Sequence, residues 1–573
     1  MKKTWILMIL VSILLSGCGS DSAPTATIES VSDLPDSTPP AVVPIGTPRP
    51  TPQPTAGLPL PLERGELFAA SGVCSVCHTN NLDEGGANVS IDTSWRSSMM
   101  ANSTRDPYWR ATFSSEQLKH PDYQAVIEDK CLACHAPMAH TTTVADGEAP
   151  KGFEGGVLTS DHPLYTLALD GISCTLCHQV LGTNFGQAES FSGHYMINAE
   201  TPAGQREAFG PFPVEASQAA AMQGSSGFVP REEQHVRQSE LCAVCHTLYT
   251  PFLDAEGQIA GEFPEQTPYL EWQASDYSGV QSCQDCHMPQ AEGGVVLSAT
   301  GGERRSPFHE HPLIGGNVFV LSMLLQYSDV LETTATRPQF SAAIQRVLDQ
   351  LQNRTATVSL ENANVSGTRL SADAVVASQA GHKLPTAYPS RRVWLHFVVQ
   401  DSVGHTVFES GAVNADGSIV GNDNDADPTA YEPHYELIEN ADQVQIYEAV
   451  MGDSDGGVTT TLLRGASYLK DNRLLPLGFR DVNPDIAVSG QAAQDPAFVA
   501  GGHRTRFDVL LDEQAAPGPY TVTVELMYQT IGYRWANNLR QLSSPEIDRF
   551  VEMENAMTNT PIVVDRAVIE VEG

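Results

Sequence analysis

Five short segments repeat one arrangement of reactive side chains: Cys74-Ser75-Val76-Cys77-His78, Cys131-Leu132-Ala133-Cys134-His135, Cys174-Thr175-Leu176-Cys177-His178, Cys242-Ala243-Val244-Cys245-His246 and Cys283-Gln284-Asp285-Cys286-His287. Two thiols separated by two residues can form thioethers with the two vinyl groups of one porphyrin, and the histidine that follows then lies under its iron. Zinc also takes paired thiolates at this spacing, but it does not require a histidine after the second cysteine every time. With 17 histidines in 573 residues, five such placements by accident are of order one in ten million. Structural disulfides would not repeat one short spacing five times. The chain has 11 cysteines, and these ten plus Cys18 account for all of them. The pattern predicts five haem c groups, with His78, His135, His178, His246 and His287 as proximal ligands.

The opposite face of each iron separates a wire from a catalyst, because a second strong ligand saturates the metal and an open position can bind substrate. Outside the motifs, the histidines of the first part of the chain are His120, His140, His162, His194, His235, His309 and His311. His162 and His235 stand shortly before the third and fourth motifs, too close to fold back on the same haem, and are expected to serve a neighbour. Methionine is the alternative axial ligand and raises the reduction potential. Met100, beside Met99 after the first motif, is the candidate, with core filling as the alternative role.

These groups need a scaffold, and the chain is long enough for more than one folded unit. Residues 62–353 carry the motifs among short segments punctuated by Pro and Gly, with haem supplying much of the core. An apolar run at 317–327, and Ile344, Val347, Leu348 and Leu351 at helical spacing, predict two helices. From 354 to 573 the texture changes to short runs rich in Val, Ile, Thr and aromatics, such as 372–377, 392–399, 443–447 and 520–528. The expected fold is a mainly α and irregular haem domain, then an all-β, sandwich-like domain.

Lys2 and Lys3 precede an apolar stretch, 5–15, that is short for a membrane span and reads as an export signal within residues 1–17. Leu15-Ser16-Gly17-Cys18 resembles the lipobox of bacterial lipoproteins, which implies lipidation of Cys18 and stable membrane anchoring through several acyl chains. Residues 18–61, rich in Pro and Thr, would form a semi-extended tether. The expected location is the cell envelope, periplasmic or at the outer surface. The formal net charge is -37, which argues against nucleic acid and favours basic partners, simple solubility being the plainer account.

Asp423, Asp425 and Asp427 place alternating oxygens in one turn, a candidate Ca2+ site without the full EF-hand pattern; a solvated Asp turn is the alternative. Nucleotide and acyl-transfer motifs are missing from the sequence.

The five motifs, Ser98-Met99-Met100-Ala101 and His311 before Gly315-Gly316-Asn317 together resemble the multihaem cytochrome c superfamily of cytochrome c554, hydroxylamine oxidoreductase and octahaem reductase relatives. The resemblance covers about 62–351. It implies a distal ligand at position 100, where the family commonly has His and this chain has Met, and so a His/Met haem. Gly381-His382-Lys383-Leu384-Pro385-Thr386, with Pro389-Ser390-Arg391-Arg392, resembles a segment of multihaem cytochromes that carry a C-terminal β domain. That makes His382 a candidate distal ligand reaching across from the second domain. The CxxCK motif of nitrite-reducing members does not occur in this sequence.

The first expectation is a pentahaem lipoprotein relaying electrons between redox proteins or to an external acceptor. The alternatives are a terminal oxidoreductase of a small nitrogen or sulfur compound with one open haem, and a β domain that docks a partner while the haem domain feeds it electrons.

Overall fold

The computed structural model describes residues 57–511 and 515–573. The export signal, Cys18 and the tether up to residue 56 lie outside the described residues.

Helical periodicity produces helices where the sequence shows it after the last motif. Asn317 caps Val318–Gln326 by accepting the N–H of Val320 at 3.2 Å. Arg337–Arg354 opens on a reciprocal Thr336–Gln339 capping box and buries Phe340, Ala343, Val347 and Leu351 along one stripe. The strand Ala356–Ser366 follows directly.

Beyond that point two sheets face each other. The larger runs Ser467–Asp471, Ile446–Gly452, Arg392–Gln400, Tyr520–Gln529 and Ile562–Val571, with Thr406–Ser410 also paired to Arg392–Gln400. The smaller runs Leu437–Ile438, Gly502–Leu510, Arg369–Ser378 and Ala356–Ser366, with Phe498–Val499 on Gly502–Leu510. Val393, Leu395, Phe397 and Val399 alternate along the central strand and are fully buried. Phe397 stacks on Phe507 of the other sheet, centroids 3.8 Å apart and planes 5° from parallel, so the two inner faces form one core.

The expected fold class is corrected on both sides of this sandwich. The described residues are 29% helix and 23% strand, and the part that carries the motifs is not plainly α-rich. It contains a parallel pair, Arg206–Gly210 with Phe228–Glu232, joined by the helix Ala216–Ser226. It also has antiparallel pairs Leu248–Leu253 with Ile259–Gln266 and Val295–Val296 with Arg304–Arg305. Two-stranded pieces this small are marginal alone and need tertiary support, so residue periodicity hardly marks them. The second part is not all β either. It includes the helices Tyr533–Leu539 and Pro545–Asn555. Pro545–Asn555 buries Ile547, Phe550 and Met553 and lies against Pro107–Lys119, with Tyr108 and Phe550 centroids 5.3 Å apart.

Candidate functional site

Each cysteine motif forms or borders a helical segment: Ser71–Ser75, Gln124–His135, Cys174–Cys177, Glu240–Ala243 and Cys283–His287. Residues three apart share a helix face, so both thiols of a motif project to one side. The histidine closes the turn: its N–H bonds the carbonyl of the first cysteine at 3.0 Å for His78 and His178 and 2.9 Å for His246. In the fifth motif Ser282 and Asp285 form a capping box that fixes where this turn begins.

All five motif histidines and nine of the ten motif cysteines line one connected cavity of about 1310 Å³. Cys77 is the tenth; its carbonyl accepts from Ala299 N at 2.7 Å. The thiols of different motifs adjoin. Cys74 is within hydrogen-bonding reach of Cys174, Cys134 of Cys245, and Cys242 of Cys283, while Cys177 is a charge neighbour of both Cys242 and Cys245. The first motif thus meets the third, the fourth meets both the second and the fifth, and the third lies within electrostatic reach of the fourth.

Burial pushes all five imidazoles below the ordinary histidine range, His135 and His246 to about 4. Each is therefore neutral at pH 7 and keeps a lone pair for a metal. Backbone carbonyls hold Nδ1 of four of them: Leu297 at 2.9 Å for His78, Ser103 at 3.5 Å for His135, Phe209 at 2.5 Å for His178 and Ile314 at 2.5 Å for His287. A carbonyl on Nδ1 fixes the tautomer and leaves Nε2 as the ligand atom, the usual support for a metal-bound histidine. The hydroxyls of Tyr108 and Tyr388 and Nδ1 of His311 are buried without a partner, and all three residues line the cavity. Buried polar atoms are normally satisfied, so this wall suits a group with a flat apolar body and polar edges. The residues present fit haem, which supplies one-electron chemistry when bound.

The candidate distal ligands divide by position. Met100, His309, His311 and His382 line the cavity. Met100 packs in the cluster that includes Leu176 and Cys177 of the third motif. His311, held to about 3 by burial, has His178 and His78 as charge neighbours. His382 lies parallel to His287, ring centroids 6.1 Å apart and planes 10° from parallel. Its Nδ1 is tied to the Lys383 carbonyl at 2.9 Å, which again leaves Nε2 free. Two imidazoles each about 2 Å from one metal, with roughly another 1 Å to each ring centre, stand about this far apart. His309 faces the Met288 carbonyl through Nδ1 at 2.8 Å.

The other five candidates do not line the cavity. His120 is 3.9 Å from Glu116, and its Nε2 is buried without a partner. His140 pairs with Asp129 at 2.8 Å. His162 accepts the N–H of Leu164, His194 is exposed, and His235 donates Nε2–H to the Val180 carbonyl at 2.8 Å.

In the Asp-rich turn two of the three carboxylates have protein partners, while the backbone N–H of Asp423 donates to Glu432. Asp425 takes Arg392 at 2.8 Å and the N–H of Ile419 at 2.8 Å, and Asp427 takes the N–H and hydroxyl of Thr429.

Sequence spacing gave no sign of a cluster that the sandwich assembles from three distant segments. His434, Asp495 and His503 offer ligand atoms within 4.8 Å of one another, and both imidazole Nε2 atoms lie 2.9 Å from Asp495 Oδ2. The amides of Gln445 and Asn472 donate to Nδ1 of His434. Their own oxygens are held by the N–H groups of Tyr435 and Glu448, so neither amide can turn over. The proton of His434 is therefore on Nε2 and points at Asp495. This is a hydrogen-bonded latch rather than a metal site, since a metal would need that lone pair.

None of the helices among the described residues is long and apolar enough to cross a membrane. No known protein family and no curated protein matches the chain. Among solved structures it is similar to a penta-haem cytochrome c552 from Thermochromatium tepidum, at 17% identity and TM-score 0.46, over 84% of this chain and 95% of that one. The alkylpurine DNA glycosylase AlkC of Pseudomonas fluorescens aligns over 44% of this chain and 43% of its own, at 10% identity and TM-score 0.11. Both likenesses are too slight to carry any assignment to this chain.

Proposed function

We propose that the chain is a pentahaem c-type electron carrier. The observation that supports this most directly is the continuity of the thiols: five attachment turns open on one cavity, and each motif adjoins another through its cysteines. A haem bonded at its vinyl edge to each pair would meet its neighbour edge to edge, and electrons would pass without leaving the protein interior. Expression with a c-type maturation system tests this: five covalent haems per chain are expected, and fewer would refute the count.

In this proposal Cys18 is lipidated and 18–61 tethers the protein at the cell envelope, where it exchanges electrons with redox proteins or an external acceptor. Labelling with radioactive fatty acid, lost on Cys18→Ala, tests the anchor.

A second reading is favoured by the surroundings of the fourth motif. Arg391 is a charge neighbour of His246, and it lines the cavity with the unpartnered hydroxyls of Tyr108 and Tyr388. In that reading the fourth haem keeps an open position and reduces a small nitrogen or sulfur compound. A high-spin haem that shifts on adding cyanide would support it; five low-spin haems unmoved by cyanide would remove it.

A further inference from the structure

The segment that presents His382 is held by an unusual set of buried charges. Lys383 Nζ lies 2.7 Å from Asp471 Oδ2. Asp471 also takes Nε and Nη2 of Arg473, at 2.8 and 2.7 Å. Arg473 Nη1 is 2.8 Å from Glu271 Oε1 as an ion pair. The other Glu271 oxygen accepts the backbone N–H of Lys383 at 3.1 Å and the hydroxyl of Thr386 at 2.5 Å. The four side chains thus close a ring that begins and ends on Lys383. Two cations face two anions, and none of these side chains is more than 5% exposed.

Stability alone does not explain such a ring. Taking charges out of water costs about as much as their attraction returns, and well-packed apolar residues often serve as well or better. What the ring provides is position. Glu271 sits on the helix Pro268–Gln273 in the part of the chain that carries the motifs, and Asp471 ends the strand Ser467–Asp471. Between them they hold residues 383 and 386 from two sides. His382 directly precedes this grip, with Nδ1 bound to the Lys383 carbonyl and its ring parallel to that of His287.

We infer that the Lys383–Asp471–Arg473–Glu271 ring is a positioning device that holds His382 as the second axial ligand of the fifth haem. The inference rests on the pentahaem reading and adds four residues that touch no haem iron. Without the ring, residues 381–386 lose their anchors on both sides and the imidazole leaves the iron, while the thioethers keep the haem in place.

The test uses full-length, haem-loaded protein, with haem content, electron paramagnetic resonance and potentiometry as readouts. His382→Ala should retain five haems and turn one high-spin, and added imidazole should restore it. Glu271→Gln and Asp471→Asn should give the same single high-spin haem, also rescued by imidazole. Arg369→Met, which breaks a partly exposed pair with Asp508, should leave all five low-spin. Should the charge variants fail to accumulate, Thr386→Val removes one bond to Glu271 without removing a charge and should give a partial high-spin signal. If His382→Ala is high-spin while the ring variants melt earlier but stay fully low-spin, the ring is only structural and the inference fails. An unchanged spectrum in His382→Ala would overturn the ligand assignment and the ring's role together.

Discussion

At the scale of single residues, the chain separates groups that bond a cofactor from groups that hold those groups still. In the pentahaem proposal His382 and Met100 belong to the first kind. Met100→His should lower the potential of one haem and leave the other four unchanged, because thioether ligation raises the potential relative to imidazole; stepwise potentiometry reads this, and five unaltered potentials would show that Met100 only fills space. Asp471 belongs to the second kind. Burial alone would raise its carboxyl, but Arg473 and Lys383 overcome that and hold it well below the usual carboxylate range. Asp471→Ala leaves the buried Lys383 without its carboxylate and Arg473 with Glu271 alone, and should cost about 3–5 kcal/mol in denaturant unfolding, whereas Lys383→Met with Asp471→Leu should cost less than the single change.

At the scale of elements, four of the five cysteine motifs sit on or border helices of four or five residues and take their stability from the elements packed on them, as does the second, on the longer helix Gln124–His135. The Trp109 ring on Pro107–Lys119 stacks on His135 at 4.4 Å and 7°, and Ser103 donates to the His135 carbonyl at 2.7 Å. The sandwich is a more conventional core. Phe397→Ala removes the ring that stacks on Phe507 and should destabilise by about 3–5 kcal/mol. The latch of His434, Asp495 and His503 gives that sandwich a pH dependence. Burial and the neighbouring His434 depress His503 to about 4. An unfolded histidine titrates near 6.5, so between about 6.5 and 4 only the unfolded chain takes up this proton. The contribution is complete above pH 6.5 and is lost as pH falls towards 4, on the order of 3 kcal/mol. His503→Gln cannot titrate, so its stability should fall less steeply than the wild type's from pH 7 to 4.5; parallel curves would refute the assignment.

For the whole molecule, charge and connectivity set the terms of exchange with partners. A net charge of -37 should steer a cationic redox partner, and its association rate should drop steeply between about 10 and 200 mM salt as screening shortens the field. Stopped-flow measurement checks this, and a salt-independent rate would mean the acidic surface serves solubility. Inside, the fourth motif adjoins the second and fifth through thiols and lies within electrostatic reach of the third. In the pentahaem proposal, Cys242→Ala with Cys245→Ala removes the fourth haem and should slow reduction across the array far more than loss of the first.

The sequence by itself determined which thiols and imidazoles come together in each motif, because two cysteines and a histidine within five residues are gathered by one helical turn and need no distant partner. Helices such as Arg337–Arg354 and strands such as Arg392–Gln400 were legible for the same reason, their buried residues recurring at the period of the element. The paired strands among the motifs, and the helices Tyr533–Leu539 and Pro545–Asn555 in the second part, were not, since tertiary neighbours stabilise them more than local preference does. Only the tertiary structure placed Met100, His309, His311 and His382 on the cavity and left His120, His140, His162, His194 and His235 off it. It alone joined Lys383, Asp471, Arg473 and Glu271, and likewise His434, Asp495 and His503. The physical reason is common to all of these: groups far apart along the chain leave no local spacing to read, and they meet only because the sheets and helices that carry them pack on one another.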